Sequence, residues 1–309
     1  MTQTGITKGN SPQDLLRVLD LERIEDNLYL GQNEYRPNFR LFGGQVLAQA
    51  LAAARQTIAD ETASDHTPAG GEMARPVPDT PQQDRECHSL HGYFLRPGDT
   101  RVPVLYKVEP IRDGKSFSTR RIVGVQKGEA IFSMDVSFQI AEQSPSHQLD
   151  MPRLPDPDSL EDDNAIALKD PKATTWETRE RPFHFRSIYQ SERPPADEMQ
   201  YPVWLKFREA LPDTPALHQY LLAYASDMGF LATSYLPHRG KVNRDSIQMA
   251  SLDHAMWFHR DFRVDEWILY LKETTNAGGS RNFNRGLFYN QQGTLIASAM
   301  QEGLMRVRN

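Results

Sequence analysis

One carboxylate stands alone in an apolar run. Asp227 lies within Thr214-Pro-Ala-Leu-His-Gln-Tyr-Leu-Leu-Ala-Tyr-Ala-Ser-Asp-Met-Gly-Phe-Leu-Ala-Thr-Ser-Tyr-Leu-Pro-His238, and no other Asp, Glu, Lys or Arg falls between Asp213 and Arg239. Leu217, Leu221, Ala225, Met228 and Ala232 recur at helical spacing, and Leu222, Phe230 and Leu231 widen the apolar surface beyond one stripe. Such a helix is buried on most sides. Burying an unpaired carboxylate costs several kcal/mol, so it is partly exposed, or a neighbouring loop caps it, or a chemical need retains it. The chemistry such a group offers is proton abstraction, the work of a general base.

Other residues invite catalytic readings, and their spacing argues against each. Asp253-His254 has the types of an acid–base dyad, but neighbours on a strand point to opposite faces, so a structural or site-organising role is expected. His88-Ser-Leu-His91, or His254 with His259, suggests a metal; neither has a companion Cys or carboxylate at helical ligand spacing, and no metal is expected. No Gly-x-Ser-x-Gly elbow occurs, which argues against an α/β-hydrolase serine esterase. Cys87 has no activating context in the sequence and reads as inert.

The whole chain bounds what these residues serve. Its 309 residues suffice for one large domain or two ordinary ones, and a 39% hydrophobic, 25% charged composition is that of a globular protein. The net charge of −6 argues against a nucleic-acid partner. No run approaches the roughly 18 apolar residues of a membrane span. The N-terminus lacks the apolar core of a signal peptide, and Met-Arg-Val-Arg-Asn at the end is not a Ser-Lys-Leu type signal. With a single cysteine, a reducing, cytoplasmic setting is the expectation.

The elements that position Asp227 occur twice. Leu41-Phe-Gly-Gly-Gln-Val-Leu-Ala-Gln-Ala-Leu-Ala-Ala-Ala-Arg55 reads as a glycine-initiated, alanine-rich buried helix, followed by strand-like blocks at 88–95, 102–110, 116–126 and 130–140. The Asp227 helix is followed by blocks at 247–259, 266–275, 280–290 and 294–307. His91 overlays His254, Arg121 overlays Arg285 and Gly114 overlays Gly278, at an offset of 163 to 164. Laying Gly44-Gln45 over Ser226-Asp227 needs 182, an excess of about 18 that the polar, Pro-containing stretch 57–83 would supply as a surface insertion. The expected organisation is an N-terminal domain at 15–142, a Pro-rich acidic linker at 143–175 and a C-terminal domain at 176–309. The fold class is α+β: antiparallel sheets, each wrapped around a long central helix and paired edge to edge.

Phe42-Gly-Gly-Gln45, Phe94-Leu-Arg-Pro-Gly98, Tyr224-Ala-Ser-Asp227, Ser251-Leu-Asp-His-Ala-Met-Trp-Phe-His259 and Gln301-Glu-Gly303 together resemble the acyl-CoA thioesterase II family, from about residue 15 to 309. The resemblance implies a tandem, or double, hotdog fold. It implies an acyl-CoA substrate hydrolysed without a cofactor. It also implies that Asp227, Ser251 and Gln301 act together on a water; the family often has Thr where Ser251 stands, and serine keeps the hydroxyl. Hotdog proteins usually assemble further, so a homo-oligomer is expected. The 57–83 stretch is the main departure from the family.

The residues agree with that chemistry. A carboxylate takes a proton from water, and a hydroxyl and a carboxamide add polar positions without charge. Ala297, Ala299, Gln301 and Gly303 alternate with larger residues, so Gln301 shares a strand face with small ones and room for a ligand is expected beside it. Gln45, laid over Asp227, cannot act as a base, so one active site per double unit is expected. Two other readings are a hotdog hydratase or dehydratase, which wants an Asp-His pair on the helix, and a non-catalytic acyl-CoA-binding module. Arg96, Arg120, Arg121 and Arg281 are candidate contacts for the CoA phosphates. Hydrolysis should persist in excess EDTA, and Cys87→Ser should match the parent; activity lost on chelation and restored by a divalent metal would overturn this.

Overall fold

The computed structural model describes residues 11–34, 40–63, 85–173, 178–190, 194–195 and 198–308. The chain opens with helix α1 (Pro12–Leu19), whose first turn is capped by the Ser11 hydroxyl accepting the Asp14 N–H. Two short strands follow, β1 (Glu22–Glu25) and β2 (Leu28–Gly31), and then helix α2 (Gly43–Ala63). Four longer strands complete the first half: β3 (Arg85–Phe94), β4 (Val104–Asp113), β5 (Phe117–Gln126) and β6 (Glu129–Ile140).

The second half repeats this order. Helix α3 (Asp163–Lys169) precedes strands β7 (Phe183–Ser187) and β8 (Gln200–Phe207), then helix α4 (Pro215–Ser226). Strands β9 (Ile247–Ser251), β10 (Asp253–Phe258), β11 (Ile268–Gly278), β12 (Arg281–Asn290) and β13 (Leu295–Val307) follow. The repeat shows in the sheet: the order β2-β4-β5-β6-β3 is mirrored by β8-β11-β12-β13-β10. At the centre β3 pairs antiparallel with β10, Tyr93 opposite Asp253 and Ser89 opposite Trp257. The edge-to-edge junction makes the two expected sheets one continuous surface, so neither half leaves an open central edge.

The helices are what the sheet wraps. Small side chains let α2 lie close to its neighbours: Ala48, Ala50, Ala53 and Ala54 are fully buried. Its first residues must be glycine. A Cβ at Gly44 would strike the Tyr224 carbonyl oxygen, and one at Gly43 would lie 2.8 Å from Asp227 Oδ2. The start of α2 therefore seats against the end of α4.

The structure corrects three expectations. The Asp227 stretch is not one long helix: α4 is α-helical to Ser226, Gly229 takes a positive φ of 69°, and a 3-10 segment spans Leu231–His238. A left-handed glycine just past the last turn ends a helix. Gln45 is not the counterpart of Asp227: it lies in the first turn of α2, whereas Asp227 caps the far end of α4. Asp227 lies twelve residues after the first residue of α4, a step that from Gly43 leads to Arg55. Finally, residues 57–63 of the expected insertion belong to α2, and the rest of that stretch, through Gln83, lies outside the described residues.

The 143–175 segment is more than a tether. It carries α3, and Met151, Leu154 and Leu160 pack on a cluster of Trp204, Trp267, Leu269 and Tyr289. The Trp204 indole donates to the Pro155 carbonyl at 3.0 Å, so this segment covers one face of the second half. Among the described residues no helix is long and apolar enough to cross a membrane. Because the Gly44 contact is with backbone, Gly44→Ala should cost about 1–3 kcal/mol through overpacking. A thermal melt should fall by several degrees; an unchanged melt would show that the helix ends do not meet this closely.

Candidate active site

Asp227 is the C-cap of α4, at φ −83° and ψ −10°. The negative end of a helix dipole disfavours a carboxylate, but the positive end of a second helix lies opposite. The Gly44 N–H, in the first turn of α2, donates to Oδ2 at 3.0 Å, and Gln301 Nε2 donates to Oδ1 at 2.8 Å. The side chain is only 7% exposed. Burial pushes its pKa up, the two hydrogen bonds pull it down, and the balance is a raised pKa.

Gln301 gathers the other groups. It is fully buried on β13, and besides Asp227 its Nε2 lies 3.1 Å from Ser251 Oγ and 3.2 Å from His254 Nδ1. Ser251 ends β9 opposite Gly303, which sets it diagonally from Gln301 on one face. The strand bends at Leu252, whose N–H donates to the Glu302 carbonyl at 3.0 Å and whose carbonyl accepts the Phe94 N–H at 2.9 Å. Asp227, Ser251 and Gln301 are thus brought together, by a helix end and two paired strands.

His254 is the residue the sequence reading left outside this group. Strict alternation from Ser251 would turn Asp253 inward; the bend at Leu252 shifts the parity, and His254, Met256 and Phe258 face in. No sequence signal marks that bend. Asp253 points away and accepts the Glu302 N–H at 2.6 Å, so the adjacent pair is no dyad. The Ser226 hydroxyl donates to the Ala223 carbonyl at 2.8 Å, which leaves its oxygen to accept His254 Nε2–H at 2.9 Å. His254 Nδ1 then carries the lone pair that meets Gln301. Burial lowers the His254 pKa to about 3, so the ring is neutral.

The other candidates point elsewhere. His88 bonds Ser137, His91 packs edge-on to Trp257 and His259 bonds Ser298. The Cys87 thiol is buried, 3.6 Å from the Ser89 carbonyl, and burial pushes its pKa up. Of the four arginines, Arg96 reaches the rim of the cleft described below. Arg120 is buried against Thr57 and Asp113, Arg121 pairs with Asp135, and Arg281 pairs with Glu302.

A cleft of about 580 Å³ opens onto Asp227 and Ser251. Phe42, Phe94 and Phe132 of the first half and Leu231, Met249 and Leu252 of the second line it, with Arg40 and Arg96 at the rim. An apolar cleft with few polar groups at its base suits an acyl chain on a polar head. The room expected beside Gln301 is partly filled: a Cβ on Gly303 would strike Leu231 and come within 3.2 Å of the Asn282 amide. At the same count from its helix start the first half has Arg55, which pairs with Glu86 at 3.0 Å. Among the described residues, this carboxylate site therefore occurs once.

The fold and this cleft define a double hotdog. A hot dog fold protein from Alicyclobacillus acidocaldarius, 20% identical, superposes with a TM-score of 0.71 over 96% of this chain and 98% of its own. The acyl-CoA thioesterase family model matches residues 172–304, and the acyl-CoA thioesterase N-terminal domain model matches 34–139. An acyl-CoA thioesterase II from Mycobacterium marinum is 38% identical, with a TM-score of 0.73, 96% of this chain and 99% of that one being covered. Acyl-CoA thioesterase 2 of Haemophilus influenzae is 34% identical over 95% of this chain and 97% of its own length. Mouse acyl-coenzyme A thioesterase 8 is 37% identical over 94% of this chain and 88% of its own length. The chain belongs to the acyl-CoA thioesterase II family.

The neutral ring of His254 has a consequence for stability. Its folded pKa of about 3 lies below the ordinary value near 6.5. The unfolded chain therefore binds the extra proton first, and the contribution is full above about pH 6.5 and lost as pH falls toward 3. Asp227 has the opposite sign: with a raised pKa, its ionisation lowers stability at neutral pH. Melts across pH should fall less steeply below about pH 6.5 for His254→Gln than for the parent; parallel curves would show that the ring is not held neutral.

Proposed function

We propose that Asp227, Gln301 and Ser251 activate one water for attack on an acyl-CoA thioester, releasing free fatty acid and CoA with no covalent intermediate. Acyl-CoA hydrolysis itself is supported by the family and by relatives that carry the name acyl-CoA thioesterase at 34–37% identity. The observation that carries the mechanism is a buried carboxylate bonded to the amide that also bonds Ser251, at the base of an apolar cleft.

The steps follow from the groups present. Asp227 accepts a proton from the water as its oxygen bonds to the thioester carbon. The carbon–sulfur bond breaks, and the CoA thiolate leaves and takes up a proton. Gln301 holds the carboxylate and Ser251 in register, and the Ser251 hydroxyl is left to bond the water from the cleft side. A serine nucleophile needs a base within hydrogen-bond reach. The neighbour of Ser251 is an amide nitrogen, and His254 Nδ1 is already bonded to that same amide. A hydratase reading is disfavoured because His218, on α4, accepts the Val264 N–H at 3.2 Å within the core.

The same reading divides the chain into an N-terminal hotdog at 15–142, a linker at 143–175 and a C-terminal hotdog at 176–309 that carries the three residues. The two family models, at 34–139 and 172–304, support that division. A cytoplasmic setting is in keeping with a free, buried thiol at Cys87, and assembly into a homo-oligomer is carried over from hotdog proteins at large.

Asp227→Asn keeps the shape and removes the base, so kcat should fall roughly 10²–10⁴-fold. The melt should stay level or rise, because a carboxylate that burial penalises has gone. Ser251→Thr should retain most activity and Ser251→Ala lose much of it. Normal turnover by Asp227→Asn, or an acyl group trapped on Ser251 by mass spectrometry, would sink the mechanism.

A further inference from the structure

A patch of buried amides lies behind Gln301. Asn284 is its direct partner across β12 and β13, and Asn282 is the partner of Gly303. Opposed residues share a face, with Cβ atoms about 4.5–5.5 Å apart. Both asparagines therefore stand with Gln301 on the inner side of the sheet, Asn284 fully buried and Asn282 1% exposed. Thr274 of β11 faces Asn284 and is also buried.

Within this patch Asn284 Nδ2 donates to Asn282 Oδ1 at 3.2 Å. Three polar atoms, Gln301 Oε1, Asn284 Oδ1 and Asn282 Nδ2, are buried without a partner. Each such group costs about 1–3 kcal/mol, and apolar side chains of similar volume would carry no such cost. Among the described residues the first half shows no such patch: at the offset of 164 the place of Asn284 is held by Arg120, bonded to Thr57 and Asp113 at 2.9 and 2.7 Å.

One rearrangement joins the set. The two ends of a carboxamide are alike in shape. With both asparagine amides turned end for end, Asn282 Nδ2 donates to Asn284 Oδ1 over the same 3.2 Å contact. The Asn284 NH2 group is then released for Gln301 Oε1, across the strands. The amides form a directed chain, Asn282 to Asn284 to Gln301 to Asp227, in which each donates to the next.

We propose that Asn284, backed by Asn282, is a positioning residue that donates to Gln301 Oε1 and keeps the Gln301 NH2 group on Asp227. This rests on the water-activation reading and names what orients its amide. With the NH2 toward Asp227 the carboxylate is stabilised; turned about, Oε1 would accept from the protonated acid and hold the proton there. The site side does not settle the choice once Asp227 has taken a proton. His254 Nδ1 still asks for a donor, but Asp227 no longer does, and the Ser251 hydroxyl donates or accepts equally well. A bond from Asn284 opposes the turn at that moment and leaves Asp227 ready to pass the proton on.

Other groups facing Asp227 are independent of Asn284. They are the Gly44 N–H from α2, neutral His254 from β10 at 3.9 Å, and Tyr270 from β11, whose hydroxyl donates to the Ser226 carbonyl at 2.7 Å. Lys272 packs by Gly229, and burial brings its pKa down to about 8, so it titrates on the alkaline side.

Asn284→Leu keeps the branched shape and removes the donor. Kinetics on an acyl-CoA across pH should show kcat lowered about ten-fold, the scale of one hydrogen bond. KM should be unchanged, and the acidic limb should move to higher pH. Asn282→Leu, one link further off, should move the limb the same way by less, and it serves as the test if Asn284→Leu does not fold. In a Gln301→Ala background neither substitution should move the limb. A folded Asn284→Leu with the parent's limb, or an equal shift in the Gln301→Ala background, overturns the relay while water activation stands. Parent-like turnover by Gln301→Ala would remove water activation itself, and the relay with it.

Discussion

Asp227 ends one helix where another begins, and its Oδ2 accepts the Gly44 N–H at 3.0 Å. A buried carboxylate at a helix C-terminus is doubly disfavoured, by desolvation and by the dipole of its own helix. The N-terminal turn of α2 offsets part of both, and only when the halves are docked. That requirement explains the paired glycines at 43 and 44, since a side chain at Gly44 would meet the Tyr224 carbonyl. It also explains why the cleft is lined from both halves, with Phe94 and Phe132 on one side and Ser251 and Met249 on the other.

Around that single charge the site is built from neutral hydrogen-bonding groups. Gln301, Ser251 and a His254 ring held neutral by burial supply donors and acceptors without a compensating cation. A cation beside Asp227 would hold its pKa low and weaken it as a base; the uncharged surroundings leave it raised. In the proposed mechanism the trade is lower stability at neutral pH for greater basicity.

Duplication supplied the frame, and divergence made the halves unequal. The strand order is mirrored about β3 and β10. Yet twelve residues into its helix the first half has Arg55, paired with Glu86, where the second has Asp227, and across the sheet from the place of Asn284 it has Arg120, bonded to Thr57 and Asp113. Both first-half residues are cations paired with a carboxylate, Arg55 with Glu86 and Arg120 with Asp113. In the second a carboxylate and three amides have been kept instead.

The amino-acid sequence by itself determined the repeat, the long strands, the start of α2 and the isolation of Asp227, because apolar periodicity and a lone charge are local properties. Blocks read at 116–126 and 280–290 lie within a residue of β5 and β12. Strands of four or five residues, such as β1, β2 and β7, were too short to carry a pattern. Ser251 and Gln301 were reached only through family resemblance, and their meeting belongs to the tertiary structure. The bend at Leu252 turned His254 inward, and the helix bounds set Gln45 in a first turn and Asp227 past a last one, so the two are not counterparts. Ser251 and Gln301 stand 50 positions apart, and Gly44 and Asp227 stand 183 apart. Strand register and helix docking are set by hydrogen-bond ladders and packing between distant segments, and no local pattern encodes which residues those will bring face to face.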